Sequence, residues 1–280
     1  MPSINFWCNN MQSTKMTLAY SPCPNDTYIF SAIASGKVAI PGLEFDIHLH
    51  DIEDLNQYAL EQRYDISKVS CYTWLRIREH YRLLQTGAAF GHECGPLLLA
   101  SKPLDIHALG DCRIAFPGAL TTAWLLFQLC GLSIGMPFFI PYHEIVPRVA
   151  SGEFDCGVII HESRFTYKTA GLHQLIDLGK WWREETGLPV PLGCFVMRRG
   201  FSQDQVQAFE ELMLCSIAEA DRHDIASDEY IRGHAREQDA GILDRHIRLY
   251  VNDYSLDLGR EGQAAIEALA ERAGRMGILT

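Results

Sequence analysis

Two stretches of this chain follow the same plan, and that plan decides the fold. Residues 59–66 read ALEQRYDI and residues 149–156 read VASGEFDC. In both, a helical pattern ends, a few polar or aromatic residues follow, and an aspartate opens an apolar strand. Each half of the chain also begins with a strand, a proline-containing turn and a helix. This internal similarity predicts two similar α/β lobes with a ligand cleft between them.

The order of the predicted elements gives the bounds of the two lobes. Strand-like and helix-like stretches alternate along the chain, which is typical of α/β folds with largely parallel sheets. We expect residues 1–106 and 197–280 to form the first, larger lobe and residues 107–196 to form the second. Residues 1–15 are polar and irregular, so we expect a flexible leader there rather than a secretory signal.

Composition excludes several classes of function. The 24 basic and 35 acidic residues give a net charge of −11, which argues against nucleic acid and anionic membranes as partners. Nine cysteines occur singly without a CxxC pair, so neither a disulfide framework nor a zinc knuckle is expected. Reduced thiols in a cytoplasmic protein are the simplest interpretation. Because the sequence has no Rossmann, P-loop or GxSxG motif, we expect no nucleotide cofactor and no serine hydrolase.

Four segments follow predicted strands and carry polar side chains. They are residues 21–26 (SPCPND), 68–70 (KVS), 118–123 (GALTTA) and 161–164 (HESR). Ligands of parallel α/β sheets bind beyond the carboxyl ends of the strands, where helix N-termini gather. Two segments come from each predicted lobe, so we expect all four to converge on one cleft.

His161 is the candidate base. The apolar residues 158–160 predict a strand that delivers His161 to the cleft, followed by Glu162, Ser163 and Arg164. Histidine has an unperturbed pKa of about 6.5, so it takes up and returns protons near neutrality. We expect Glu162 or a backbone carbonyl to fix its tautomer. The alternative is a structural histidine whose hydrogen bonds are all satisfied.

The helix that follows residue 120 is a candidate anion site. Thr121, Thr122 and Ala123 lie at its predicted N-terminus, where backbone amides and the helix dipole favour a carboxylate. The alternative is a threonine that only caps the helix.

Three further positions belong to the first lobe. Asn25 is expected to point into the cleft from a turn stiffened by two prolines, unless Asn25 or Asp26 only caps the following helix. Lys68 and Ser70 share one face of a strand and Val69 lies on the other. Lys68 would pair either with an acidic ligand or with a neighbouring aspartate.

These segments resemble the 1,4-dihydroxy-6-naphthoate synthases of the futalosine route to menaquinone. The resemblance covers about Thr17 to the C-terminus. The matching motifs are residues 21–27 (SPCPNDT), 68–70 (KVS), 117–123 (PGALTTA), 160–167 (IHESRFTY), 181–182 with 186–189 (WW and TGLP), and 250–257 (YVNDYSLD).

The resemblance implies a two-lobed fold like that of type II periplasmic binding proteins. It also implies a cofactor-independent carbon–carbon lyase without a metal, which converts cyclic dehypoxanthine futalosine to 1,4-dihydroxy-6-naphthoate and dihydroxyacetone. His161 matches the proton acceptor of the family. The substrate-contacting positions of the family match Lys68, Val69, Ser70, Thr122 and Ala123.

Two other functions stay open on the sequence. One is a non-catalytic protein that binds a small carboxylate, since the fold is shared. The other is the related chorismate dehydratase of the same route, although SPCPND and HESRFTY favour the naphthoate synthase. The sequence leaves the oligomeric state open.

Overall fold

The structure is a computed structural model that describes residues 14–92, 94–225 and 228–279. Its strands form two mixed sheets. The strands are β1 (Thr14–Tyr20), β2 (Leu43–Leu49), β3 (Ile66–Ser70), β4 (Tyr81–Leu83), β5 (Ala89–Gly91), β6 (Leu97–Ala100), β7 (Ile114–Phe116), β8 (Pro137–Phe139), β9 (Cys156–Ile159), β10 (His173–Asp177) and β11 (Val190–Arg198). The first sheet has the order β2-β1-β3-β11-β4 with β5 paired to β11, and the second has the order β10-β6-β9-β7-β8.

Helices cover both sheets and supply the C-terminal part of the chain. They are α1 (Pro24–Ala34), α2 (Ile52–Leu60), α3 (Cys71–Ile77), α4 (Thr122–Leu129), α5 (Tyr142–Ala150), α6 (Ser163–Thr166), α7 (Leu178–Thr186), α8 (Gln203–Ala220), α9 (Glu229–His234), α10 (Ala240–Tyr250), α11 (Asp253–Leu256) and α12 (Gly259–Arg275). None of the helices in the described residues combines the length and the apolar content needed to cross a membrane.

Local sequence explains the elements that lead to the cleft. All five residues of β3 are buried, which fits a central strand covered on both faces. Proline is the first residue of α1, where the missing amide hydrogen leaves no helical bond unmade. Asp177 caps α7 by accepting bonds from the amides of Gly179 and Lys180.

The points at which the chain passes from one sheet to the other differ from the predicted bounds of the lobes. β6 lies in the second sheet between β10 and β9, although residues 1–106 were assigned to the first lobe. All of β11 lies in the first sheet, although the second lobe was predicted to extend to residue 196. Both strands run antiparallel to their neighbours, which the expectation of largely parallel sheets missed. An apolar run predicts a buried strand but specifies neither its sheet nor its direction.

The first strand begins inside the segment that was predicted to be a flexible leader. Thr14 and Lys15 belong to β1, which pairs in parallel with β2 from Thr14 onward. The rest of the predicted leader, residues 1–13, lies outside the described residues.

One hydrophobic cluster joins the two sheets. It contains Val69 and Val196 of the first sheet together with Leu98, Phe116 and Val158 of the second. The two halves therefore share part of their core, and the cleft opens beside this shared core rather than between two independent bodies.

Candidate active site

The four predicted segments converge on one cavity of about 620 Å³. The residues that line it are Ser21, Asn25, Asp26, Ile52, Lys68, Ser70, Ala89, Cys94, Pro96, Thr121, Thr122, Ala123, Ile160, His161, Leu192, Gly193 and Tyr250. Of the predicted site residues, only Val69 is missing from this lining. Its side chain is buried in the shared core, because alternate residues of β3 point to opposite faces of the sheet.

His161 stands in a backbone conformation that few residues adopt. It follows β9 by two residues and has a φ of 60°, in the left-handed region. Histidine tolerates this region better than most residues, but a non-glycine residue there still costs about 1–3 kcal/mol. The surrounding packing offsets this strain, and the imidazole ring faces the cavity.

The two nitrogens of His161 have different surroundings. Nδ1 lies 3.0 Å from Cys23 Sγ, whereas Nε2 is buried with no hydrogen-bond partner among the described residues. Burial raises the pKa of the Cys23 thiol well above its usual range, so the sulfur is a neutral thiol. For Nε2 to accept a proton, Nδ1 must carry the ring hydrogen and donate it to Sγ.

Burial also sets the protonation state of His161. It lowers the pKa of the imidazole to about 4, an effect that Asp26 opposes and Lys68 increases. The ring is therefore neutral at pH 7 and able to accept a proton. The expectation that Glu162 or a backbone carbonyl fixes the tautomer is wrong, because the atom that contacts Nδ1 is Cys23 Sγ. Glu162 Oε2 has no partner in the described parts of the chain.

Lys68 and Asp26 form a buried ion pair at the cavity wall. Lys68 Nζ lies 3.1 Å from Asp26 Oδ1, and the two side chains are 5% and 1% exposed. Asp26 also accepts hydrogen bonds from Ser21 Oγ at 2.7 Å and Asn25 Nδ2 at 2.8 Å. Of the two roles considered for Lys68, the structure shows pairing with a neighbouring aspartate. The ammonium still lines the cavity, so a bound anion would share it with Asp26.

Asn25 links this ion pair to a second histidine. Its amide nitrogen donates to Asp26, so its Oδ1 faces His246 Nε2 at 3.1 Å. Because a carbonyl oxygen only accepts, His246 Nε2 carries the hydrogen. His246 is fully buried, and burial followed by the effect of His161 lowers its pKa to about 3. Asn25 is therefore no helix cap, since α1 already begins at Pro24.

Ser70 is oriented by a buried asparagine. Asn56 Oδ1 accepts the Ser70 amide at 2.8 Å, and Asn56 Nδ2 donates to Ser70 Oγ at 3.0 Å. The Ser70 hydroxyl acts as the acceptor in this second bond, so its own hydrogen remains available for a ligand in the cavity.

The threonines at the start of α4 use their hydroxyls within the protein. Thr121 Oγ1 caps the helix by accepting the Trp124 amide, and Thr122 Oγ1 donates to the Leu192 carbonyl at 2.7 Å. The capping alternative is thus correct for the hydroxyl of Thr121. What faces a ligand is the backbone, because the amides of Thr122 and Ala123 are the first of the helix and lack a helical acceptor.

The turn before α4 is tied to the opposite side of the cleft. Glu53 of α2 accepts the Leu120 amide through both carboxylate oxygens, at 3.3 and 3.2 Å. A Cβ atom at Gly118 would lie 2.2 Å from Glu53 Oε2, so only glycine permits this approach. The contact fixes the turn that presents Thr122 and Ala123 to the cavity.

Two residues of the site carry no signal in the sequence. Asn56 lies within α2 and His246 lies within α10, where each resembles any polar residue of an amphipathic helix. Their complete burial shows their importance, but it is known only from the structure. For Cys23 the segment was predicted but its contact with His161 was not. For Lys68 a neighbouring aspartate was one of the two expected partners, and the structure shows that it is Asp26.

A comparison with models of protein families identifies the family of the chain. A family model described as menaquinone biosynthesis matches residues 16–275. The chain belongs to this family. Proteins named 1,4-dihydroxy-6-naphthoate synthase are 41% identical in Thermus thermophilus, over 94% of this chain and 95% of that protein, and 38% identical in Streptomyces coelicolor, over 96% of each. The family resemblance stated from the motifs is confirmed.

Solved structures confirm the predicted fold. A crystal structure of an Archaeoglobus fulgidus protein is 34% identical, covers 95% of this chain and 98% of its own, and superposes with a TM-score of 0.89. The alkanesulfonate-binding protein of Xanthomonas axonopodis pv. citri superposes with a TM-score of 0.73 at 15% identity, over 97% and 96% of the two chains. The second likeness shows the fold alone, which is that of the periplasmic binding proteins.

Proposed function

We propose that this member of the family converts cyclic dehypoxanthine futalosine to 1,4-dihydroxy-6-naphthoate and dihydroxyacetone, without a cofactor, and that His161 is the proton acceptor. The observation that carries the proposal is the His161 ring, which is neutral and lines the cavity with one nitrogen lacking a partner in the described residues. The two relatives named 1,4-dihydroxy-6-naphthoate synthase support the choice of reaction.

The cavity offers a distinct place for each polar part of such a substrate. The ring carboxylate would lie on the free amides of Thr122 and Ala123, where the α4 dipole adds a favourable field. The Ser70 hydroxyl and the Lys68 ammonium lie on the first-sheet side of the cavity, where they would bind the oxygens of the sugar ring.

In the proposed reaction, His161 Nε2 removes a carbon-bound proton next to an electron-withdrawing group, and the sugar ring opens. Carbon–carbon cleavage then releases dihydroxyacetone, and aromatisation of the remaining rings provides driving force. A positioned base contributes about 10²–10⁴-fold. The rest of the rate must come from orientation and from charge stabilisation in the cavity. Asp26 favours the imidazolium that forms, since its charge raises the pKa of His161.

Replacement of His161 tests the assignment. His161→Ala is expected to abolish formation of the naphthoate product while leaving substrate affinity within a few-fold, because the lost group acts on the proton rather than in binding. Product absorbance measures turnover, and calorimetry measures affinity. His173→Ala is the matched control, since His173 is an exposed histidine of the second sheet. Near-normal turnover in His161→Ala would contradict the role of His161.

Two assays of the unaltered protein separate the other functions. A non-catalytic binding protein would bind the substrate and release no dihydroxyacetone. A chorismate dehydratase would consume chorismate and leave cyclic dehypoxanthine futalosine unchanged. Either result would overturn the proposed reaction.

A further inference from the structure

A thiol and two imidazoles lie together beside the cavity. Among the described residues, Cys23, His161 and His246 are the one group of three potential metal ligands whose ligand atoms all lie within 4.8 Å of one another. The sequence separates these residues widely, since Cys23 and His161 are 138 positions apart. These residues are therefore brought together by the fold, and no cysteine or histidine motif in the sequence predicts the group.

Both imidazoles have coordinating capacity that the described residues do not use. His246 donates its Nε2 hydrogen to Asn25 Oδ1, so its Nδ1 holds a lone pair, and that atom is buried with no partner in the described parts of the chain. Histidines that bind metals almost always donate their other ring hydrogen to an oxygen in this way. His161 likewise has a buried Nε2 for which the described residues provide no partner.

The donor set selects a class of ion. One sulfur and two imidazole nitrogens suit Zn²⁺ and other thiophilic ions, whereas Ca²⁺ and Mg²⁺ require oxygen ligands. Asp26, which is hydrogen-bonded to Asn25, is already held by Lys68 and Ser21. Three protein ligands leave a fourth position for water, which is the arrangement of an accessible zinc site.

We propose that Cys23, His161 and His246 bind one Zn²⁺ ion, and that this ion inhibits the enzyme by occupying His161. On binding, the Cys23 thiol releases its proton to solvent and the sulfur bonds to the metal, with no change in oxidation state. The binding is independent of the proposed function, whereas the inhibition rests on it.

The ion reaches the site through the substrate cavity. His161 lines the cavity, and Cys23 lies directly behind it at 3.0 Å from Nδ1. An ion bound to the His161 ring would prevent that ring from taking up the substrate proton. Substrate and metal are therefore expected to exclude each other, so that substrate raises the Zn²⁺ concentration needed for half-inhibition.

Cobalt provides a direct probe of the site in the full-length, metal-free protein. Co²⁺ titration is expected to give one bound ion per chain with a thiolate-to-cobalt charge-transfer band, and Zn²⁺ should abolish the band. Cys23→Ser should remove the band. Cys23→Ser and His246→Gln should each weaken Zn²⁺ binding more than about 10-fold, the least that losing even a supporting partner of a metal ligand costs. The control Cys215→Ser, at an exposed cysteine of α8, should leave band and affinity unchanged.

The outcomes separate the site from the proposed function. Absence of the band in the unaltered protein overturns the metal site, whether or not the protein is active, and needs no variant to fold. Unchanged Zn²⁺ affinity in folded Cys23→Ser and His246→Gln, checked by circular dichroism, overturns it as well. A bound ion that leaves turnover intact overturns the inhibition. If the metal-free protein has no turnover while the cobalt band is present, the proposed function fails and the site stands.

Discussion

His161 is the proposed base, and its ring is neutral at physiological pH but has a low affinity for a proton. Burial lowers its pKa to about 4, which keeps the ring neutral at physiological pH but reduces its affinity for the proton that the proposed reaction transfers to it. A base of this kind works only when the charge formed on it is stabilised during the reaction. In the proposed reaction, the Asp26 carboxylate favours the charged ring, and its ion-pair partner Lys68 opposes this effect.

The pH dependence of turnover follows from this burial. Only the neutral ring accepts a proton, and the lowered pKa keeps it neutral down to about pH 4. We therefore expect kcat/KM to show no decline near pH 6.5, where an exposed histidine would become protonated, and to fall only as the pH approaches 4. The measurement is kcat/KM from pH 8 downwards, with folding checked by circular dichroism at each pH. A decline centred near the ordinary histidine pKa would contradict the burial of the base.

At this scale the sequence predicted the candidates but not their contacts. His161 could be identified because an apolar strand precedes it, which is a local pattern. Its neighbour Cys23 and the second histidine, His246, could not be paired with it in advance. His246 and Asn25 are 221 positions apart, and no local pattern reports a contact of that range.

The turn between β7 and α4 depends on one contact across the cleft. Glu53 of α2 accepts the Leu120 amide, and the absence of a side chain at Gly118 leaves room for the carboxylate. Burial raises the pKa of Glu53, and its bond with Leu120 opposes this effect. The bond thus favours the ionised form of Glu53 and holds the turn in position.

A methyl group at position 118 tests this contact. Gly118→Ala would push the Glu53 carboxylate away and leave the Leu120 amide unpaired, at a cost of about 1–3 kcal/mol in the free energy of unfolding. Urea denaturation measures the change. The matched control is Gly200→Ala, where an added Cβ meets nothing within 4 Å.

A double variant checks the cause. Glu53→Ala removes the atoms with which the methyl group collides, so Gly118→Ala combined with Glu53→Ala should cost less than the sum of the two single changes. Simple additivity would mean that the two residues act separately.

At the scale of elements, burial was predictable and pairing was not. The apolar run that forms β6 predicts a strand buried on both faces, and all four of its residues are buried. Its place in the second sheet, antiparallel to β9, depends on where the chain turns after β5. The direction of β11 could not be predicted from its own residues either, because it is determined by the connection through α7.

The two sheets share one of the hydrophobic clusters of the molecule. Val69 and Val196 of the first sheet belong to the same buried cluster as Phe116 and Val158 of the second. Unfolding one sheet alone would expose the apolar surface that the other sheet covers, so neither half is expected to be stable by itself.

Denaturation of the whole chain tests this coupling. We expect a single transition in urea, with coincident midpoints for far-ultraviolet circular dichroism and for tryptophan fluorescence, because Trp74 and Trp124 both pack against the shared core on helices of different halves. Two separated midpoints would show that the halves unfold independently.

The left-handed backbone at His161 determines which variant is better suited to rescue by external imidazole. At a φ of 60°, alanine carries a penalty of about 1 kcal/mol, whereas glycine adopts this conformation freely. His161→Gly should therefore melt at or above the temperature of His161→Ala, and it leaves a gap that external imidazole can enter from the cavity. Added imidazole is expected to restore part of the turnover in the glycine variant, in proportion to its unprotonated fraction. Rescue by the imidazolium form instead would mean that position 161 supplies a proton rather than removing one.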